Sequence, residues 1–228
     1  MARMKLKTAL QGQRTLITLL GPTAVGKTAL SVLLAKKFHG VIISADARQV
    51  YRGLNLGSGK ITKKEMQNVP HFLLDVAGPT TQYTVVRYIR EVRRILKTLP
   101  LTTPIFLVGG SPFYLEAITN PGSISTVPPN PLLRKRLAKK SPAQLFLQLK
   151  KLDSVRAKTI DAKNPRRLVR AIEIALGTEK KMPTLPPLRL LTIVITMPHK
   201  KLFTRIDQRV VQRIQTGNHQ TLEPPHPQ

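Results

Sequence analysis

Five short apolar runs recur along the chain and predict buried strands. They are rich in isoleucine, leucine and valine and do not alternate with polar residues, which is typical of parallel strands covered on both faces. The five runs are Thr15 to Leu20, Val41 to Asp46, His71 to Val76, Pro104 to Gly110 and Leu190 to Met197.

Helical patterns lie between several of these runs, at Lys27 to Phe38, Thr84 to Lys97 and Pro112 to Ile118. Strands that alternate with helices are joined by right-handed crossover connections. The pattern therefore predicts an α/β fold with an open parallel sheet and helices on both faces.

The segment 121–186 interrupts this alternation, because proline-rich stretches stand at both of its ends. Two amphipathic helices are predicted inside it, at Ala143 to Leu152 and Pro165 to Leu176. We therefore expect residues 1–120 and 187–228 to form the α/β core, and 121–186 to form a small helical insertion.

Positive charge is abundant and concentrated in the insertion. The chain has 38 Lys and Arg residues against 11 Asp and Glu, a formal net charge of +27. Thirteen of the basic residues lie between Arg134 and Arg170, with Asp153 and Asp161 as the two carboxylates there. A solvated helix face usually mixes both signs, so this excess favours nucleic-acid binding over a merely soluble surface.

The composition also excludes several classes of site. The chain has no cysteine, which rules out disulfide scaffolds, thiolate metal sites and cysteine nucleophiles. Neither a stretch of about 18 apolar residues nor a signal sequence is recognisable. We expect a cytoplasmic protein without a membrane partner.

One motif carries specific chemistry. The sequence GPTAVGKT follows the first predicted strand, opens a helix and has the G-x-x-x-x-G-K-[ST] spacing of a P-loop. Backbone amides and the start of the helix would bind phosphate oxygens, the lysine would add a charge, and Thr28 could ligate Mg²⁺. The predicted diphosphate-binding residues are Gly21, Pro22, Thr23, Ala24, Val25, Gly26, Lys27 and Thr28. Such a loop accepts a nucleotide such as ATP and a prenyl diphosphate equally well.

Two carboxylates and one hydroxyl are expected beside this loop. Asp46 and Asp75 each end a predicted strand, where doubly wound folds bind their ligands. Asp46 could accept a proton from a substrate, and Asp75 resembles the acid that positions Mg²⁺ in nucleotide hydrolases; either could instead cap a turn. Ser111 follows a Gly-Gly turn and could contact an anion or simply cap a helix.

A last helix is predicted from Leu202 to Gln215 and carries a row of arginines. Arg205, Arg209 and Arg213 follow one another at a spacing of four residues, beside an apolar row. Arginines on one face can reach phosphates bidentately. A solvated face is the equally simple interpretation of the spacing alone.

Taken in order, the segments GPTAVGKT, IISADARQVYRGLNLGSGK, HFLLD, LVGGSPFYLEA and NPRRLVRAIEIAL resemble the tRNA dimethylallyltransferase family, also called tRNA isopentenyltransferases. The similarity runs from about Thr15 to Gly217. It implies a P-loop NTPase-like core, and transfer of a dimethylallyl group from dimethylallyl diphosphate. The acceptor is the exocyclic amine of the adenosine 3′ of the tRNA anticodon, flipped out of its stack.

The resemblance also implies roles for individual residues. Asp46 matches the family's general base, Ser111 stands where the family usually has threonine, and Arg209 matches an arginine that holds the diphosphate, with Mg²⁺ as cofactor. The positions that match contacts to the anticodon stem-loop are Asp46, Ala47, Arg48, Gln49, Arg134, Arg166, Arg167, Leu168, Val169 and Arg170. Family members continue beyond the helix of Arg209, so we expect a C-terminus that is shortened here, in a monomeric protein.

Two other functions stay open from the residues. One is a nucleotide-dependent small-molecule kinase or NTPase, which the P-loop and Asp75 favour. The other is a truncated homologue that binds tRNA without transferring a prenyl group.

Overall fold

The computed structural model describes residues 14–180 and 185–216. Within them, five parallel strands form one sheet. The strands are β1 (Thr15–Leu20), β2 (Val41–Ser44), β3 (His71–Phe72), β4 (Ile105–Val108) and β5 (Arg189–Val194). The predicted α/β fold with an open parallel sheet is confirmed.

Nine α-helices occur in the same ranges. They are α1 (Lys27–Phe38), α2 (Lys63–Met66), α3 (Val85–Thr98), α4 (Pro112–Thr119), α5 (Pro131–Leu137), α6 (Pro142–Leu152), α7 (Ser154–Thr159), α8 (Pro165–Leu176) and α9 (His199–Thr216). None of the described helices is long and apolar enough to cross a bilayer.

The strand order β3-β2-β4-β1-β5 decides which loops meet. Since all strands run in the same direction, the segments that follow β2, β4 and β1 leave the same edge of the sheet side by side. Ligands of doubly wound folds bind at this edge. The P-loop follows β1, Asp46 follows β2, and the Gly-Gly turn before Ser111 follows β4.

β1 has the predicted bounds, whereas the other four strands are shorter than their apolar runs predict, and β3 shows why. Leu73 and Asp75 adopt positive φ angles of 63° and 56°, which an extended strand does not allow. The chain therefore turns directly after Phe72, although the apolar run continues. Asp75 lies in this turn rather than at the end of a strand.

The central strands are fully buried, whereas β5 is an edge strand. The side chains of Leu16, Ile17 and Phe106 are 0% exposed, which agrees with their continuous apolar runs. In β5, alternate residues are exposed, among them Val194 at 62%. The expectation that all five runs are buried on both faces is wrong for β5, because its alternating exposure shows that one of its faces is not covered by the described residues.

The chain divides into two compact units. One contains the described residues of 1–121 and 183–228 and carries the sheet, and the other contains those of 122–182. The second unit has its own core, with Leu137, Leu145, Leu149 and Leu168 all almost fully buried. Its short helices α5 and α7 were not anticipated; Asn130 and Asp153 cap their first turns.

Candidate active site

The P-loop has the backbone shape that its glycines predict. Gly21 has a φ of 150°, and a side chain there would meet the carbonyl oxygen of Ile195 at 2.5 Å. Gly26 has a φ of 104° and precedes α1, whose first turn has no side-chain cap. The amides of that turn are therefore not used by a capping side chain and can receive an anion.

Lys27 lies back across the loop. Its Nζ donates hydrogen bonds to the carbonyl oxygens of Gly21 and Pro22, each at 2.7 Å. Burial lowers the pKa of Lys27, the charge of Arg209 lowers it further, and Asp46 acts in the opposite direction. The fold has thus brought Lys27, Arg209 and Asp46 into one electrostatic neighbourhood, although they are far apart in sequence.

Asp46 holds a turn and also faces the cleft. Its Oδ1 accepts hydrogen bonds from the backbone amides of Arg48 at 2.9 Å and Gln49 at 3.4 Å. Its Oδ2 lies only 3.5 Å from where a side chain on Gly110 would begin. Oδ1 therefore caps a turn, as one interpretation of the sequence expects, whereas Oδ2 points to the turn that follows β4.

Ser111 connects the two turns. Its Oγ accepts a hydrogen bond from the amide of Ala47 at 2.9 Å, and its own amide donates to the carbonyl of Ala45 at 3.1 Å. The hydroxyl makes no capping bond to α4. Ser111 is therefore not a simple helix cap, because its hydroxyl fixes the segment that carries Asp46.

The arginine row of α9 faces this site. A side chain on Gly26 would lie 3.9 Å from Arg205, and Arg209 contacts the carbonyl oxygen of Gly59 at 3.5 Å. The solvated-face interpretation therefore does not hold for Arg209, which is half-buried. The helix α9 comes to lie beside the P-loop because β5, which precedes α9, pairs with β1, which precedes the P-loop. The order of the segments along the chain does not predict this pairing.

Asp75 lies away from the P-loop. β3 is separated from β1 by two strands, and the carboxylate of Asp75 forms an ion pair with Lys60 at 2.5 Å. Lys60 also donates to the carbonyl of Tyr51 at 2.7 Å. This arrangement gives no support to a hydrolase-like role of Asp75 beside a P-loop metal.

The described residues contain no cluster of three metal-ligating side chains. Thr28 is exposed in the first turn of α1. A P-loop ion draws most of its ligands from phosphate oxygens and water. Thr28 therefore fits Mg²⁺ that arrives with a diphosphate.

A buried, stacked pair of tyrosines near Asp46 was not anticipated from the sequence. The rings of Tyr88 and Tyr114 stack with centroids 4.2 Å apart, and Tyr88 donates to the carbonyl of Ser44 at 3.0 Å. Burial, then Tyr51 and Asp46, raise the pKa of Tyr114 to about 12. Tyr83 also raises the pKa of Tyr88, so the four tyrosines of the chain lie near one another here. Tyrosine is scarce in this chain, with four residues, and its occurrence after predicted strands was the signal in the sequence that could have indicated this cluster.

In the helical unit, two of the expected tRNA contacts are ion paired. Glu173 is 1% exposed and accepts from Arg134 Nε at 2.9 Å and Nη2 at 2.7 Å, and from Arg170 Nη1 at 2.6 Å. Arg170 also donates to the carbonyl of Val127 at 2.8 Å. Glu173 was not anticipated, although its spacing of three from Arg170 was a signal.

The neighbouring positions differ in exposure. Arg166 and Arg167 are exposed, Leu168 is fully buried, and Val169 packs partly against the same core. A side-chain contact with a large ligand is therefore open to Arg166 and Arg167. The side chain of Leu168 supports the helix from inside.

Comparison with known proteins agrees with this geometry. The family model of IPP transferase matches residues 49–223. A tRNA dimethylallyltransferase of Thermomicrobium roseum is 37% identical over 215 residues, which are 90% of this chain and 65% of that protein. One from Anoxybacillus flavithermus is 37% identical over 209 residues, or 88% of this chain and 67% of that protein.

Solved structures give the same picture. The full-length tRNA isopentenylpyrophosphate transferase of Bacillus halodurans is 32% identical with a TM-score of 0.58; the match covers 90% of this chain and 67% of that one. A eukaryotic dimethylallyltransferase studied acting on tRNA has a TM-score of 0.74 at 23% identity, over 92% of this chain and 55% of that one. The second likeness concerns the fold alone.

The sheet and its first loop define a P-loop-type α/β protein. Among such proteins, this chain belongs to the IPP transferase family. The resemblance to tRNA dimethylallyltransferases is confirmed. The chain spans about two thirds of the length of the first curated relatives, 65% and 67%.

Proposed function

We propose that the protein transfers a dimethylallyl group from dimethylallyl diphosphate to the exocyclic amine of the tRNA adenosine 3′ of the anticodon. One observation carries the proposal: Lys27 of the P-loop, Asp46 after β2 and Arg209 of α9 act on the same electrostatic site. A diphosphate leaving group needs the two cations, and an attacking amine needs the carboxylate.

The reaction breaks the bond between the allylic carbon and a diphosphate oxygen and forms a bond from that carbon to the adenine nitrogen. Asp46 accepts the proton that the nitrogen loses. The amides of Arg48 and Gln49 hold its carboxylate in place, and Ser111 fixes the amide of the next residue, Ala47. Lys27 and Arg209 offset the charge of the leaving diphosphate. Mg²⁺, held by Thr28 and phosphate oxygens, would neutralise part of the same charge.

Each unit adds its own support to this proposal. The stacked Tyr88 and Tyr114 are 0% and 5% exposed, and Tyr88 donates to the carbonyl of Ser44, so they support the end of β2 before Asp46 from inside. In the helical unit, the exposed Arg166 and Arg167 suit RNA phosphates, whereas Arg134 and Arg170 have Glu173 as a partner. The sequence-based expectations of a cytoplasmic location and a monomer form part of this proposal.

The test is prenyl transfer to RNA. The protein is incubated with labelled dimethylallyl diphosphate, Mg²⁺ and an anticodon stem-loop RNA, and the label in RNA is counted. We expect Asp46→Asn to lose about a hundredfold or more in rate, the scale of a general base. Asparagine can still accept the two amide bonds of the turn, so the loss would report proton transfer rather than folding.

Asp161→Asn is the matched control. The Oδ1 of Asp161 accepts a hydrogen bond from the amide of Lys163 at 3.0 Å. Asp46 makes the same kind of bond with the amide of Arg48, also two residues further along the chain. We expect this variant to keep full activity. Equal labelling by the parent and Asp46→Asn would remove the proposed base. Nucleotide hydrolysis without RNA would point to the kinase or NTPase alternative, and RNA binding without transfer to the inactive homologue.

A further inference from the structure

The arginine row of α9 reaches beyond the P-loop to the loop of Gly59. A side chain on Gly59 would lie 2.7 Å from Arg209 Nη2 and 1.5 Å from Arg213 Nη2. The two nitrogens are therefore close neighbours over the same glycine. Gly59 has a φ of 59°, so both its backbone shape and its missing side chain are needed for this contact.

Two cations placed this close repel each other unless an anion lies near them. No Asp or Glu within residues 14–180 and 185–216 forms an ion pair with Arg205, Arg209 or Arg213. Burial lowers the pKa of Arg213, and the charge of Arg209 lowers it further. Among the described residues the arginine pair therefore has no anionic partner, which is the environment of an anion site.

The three arginines of the row lie at different places along the site. Arg205 lies near Gly26 of the P-loop, whereas the guanidinium group of Arg213 lies over Gly59. Their backbones are eight residues apart on α9, about 12 Å at the helical rise. Arg209 lies between the two places, since it acts on Lys27 and also contacts Gly59. Of the three arginines, Arg213 is therefore the one that a phosphate outside the P-loop would meet.

The Gly59 loop is linked to the turn of the proposed base. Gln49 Nε2 donates to the carbonyl oxygen of Gly59 at 3.4 Å, and the Gln49 amide donates to Asp46 Oδ1 at 3.4 Å. Arg209 Nη2 contacts the same carbonyl oxygen at 3.5 Å. The arginine pair over Gly59 is thus linked to the turn at which the base of the acceptor nucleoside would bind.

We propose that Arg209 and Arg213, held over Gly59, form a second anion site, which binds a phosphodiester of the RNA beside the acceptor nucleoside. This inference rests on the proposed function, because it assigns the site to the RNA substrate. Arg213 acts here as a binding residue and takes no part in the chemical step.

The test compares the salt dependence of RNA binding in Arg213→Gln and in the parent. Removing one phosphate contact should reduce the slope of log K against log salt by about 0.7 to 0.9. The affinity for inorganic pyrophosphate with Mg²⁺ should stay unchanged. Arg94→Gln is the matched control, because Arg94 is 69% exposed and paired with Glu91 on α3; its slope should equal that of the parent.

Gly59→Ala supplies an independent variant, since its side chain would displace both guanidinium groups without changing any charge. It should weaken RNA binding, and adding Arg213→Gln to it should change the slope little further.

Several results would overturn the second site. The first is an unchanged slope in Arg213→Gln, and the second is a slope in Arg94→Gln that falls as much as in Arg213→Gln. The third is that Arg213→Gln weakens the binding of pyrophosphate instead of the binding of RNA. If Arg213→Gln leaves the slope unchanged while the parent still labels RNA, only the second site is overturned and the prenyl-transfer proposal stands. A parent that binds no RNA would overturn both.

Discussion

Replacing Glu173 by glutamine removes the charge that holds helices α5 and α8 of the helical unit together. The carboxylate accepts from Arg134 on α5, from Arg170 on its own helix and from the amide of Asn130 at 2.6 Å. Glutamine keeps the shape but has one acceptor oxygen and no charge. Both arginines would lose their ionic partner.

The size of the effect follows from the pKa of the buried acid. Burial raises the pKa of Glu173, but hydrogen bonds from Arg134, Asn130 and Arg170 outweigh burial and lower it from 4.5 to about 2. That difference corresponds to about 3 kcal/mol of stability at neutral pH. The side chains of Arg134 and Arg170 are 40% and 33% exposed and can regain water, so we expect a loss of about 2 to 3 kcal/mol.

The pH dependence gives a second signature. Because the folded-state pKa is depressed, the contribution of Glu173 is complete above the unfolded value of 4.5 and is lost as the pH falls towards about 2. The parent should therefore lose stability over this window more steeply than Glu173→Gln. The two stability curves should converge at the acid end.

Urea denaturation followed by circular dichroism at several pH values measures the free energy of unfolding. Hydrogen exchange at Leu149 and Leu168 locates the loss in the helical unit. Glu91→Gln is the control, since it breaks an exposed i,i+3 pair with Arg94 and should cost less than about 0.5 kcal/mol. An equally small loss for Glu173→Gln, or a gap that does not change with pH, would refute the reasoning.

Two further substitutions test the sites on the sheet and on the helical unit. Gly21→Ala places a side chain against the carbonyl of Ile195 and at an unfavourable φ. We expect calorimetry to show at least a tenfold loss of pyrophosphate affinity, whereas an affinity equal to that of the parent would show that the loop tolerates a side chain. Neutralising Arg166 and Arg167 together should reduce the salt slope of RNA binding by about 1.4 to 1.8, whereas Lys150→Gln, also exposed, should change it by less than half as much. A double variant with the parent's slope would remove these arginines from the RNA surface.

Much of the fold could be read from the chain because its signals are local. A buried parallel strand must be apolar throughout, and a P-loop must have glycines and a lysine at fixed spacing. The helices α1 and α8 begin and end at the residues that their patterns predict, Lys27 to Phe38 and Pro165 to Leu176. Local signals failed at β3, where the positive φ of Leu73 ends the strand inside an apolar run.

The sequence by itself determined the phosphate loop, the α/β class and the family, because each depends on residues close together along the chain or in a fixed order. Only the tertiary structure decided which of these residues meet. Strand order brings Asp46 and Ser111 to the P-loop and leaves Asp75 with Lys60, and the pairing of β5 with β1 carries the arginines of α9 to Gly26 and Gly59. Contacts between distant segments depend on how strands are ordered in the sheet, and no local pattern encodes that order.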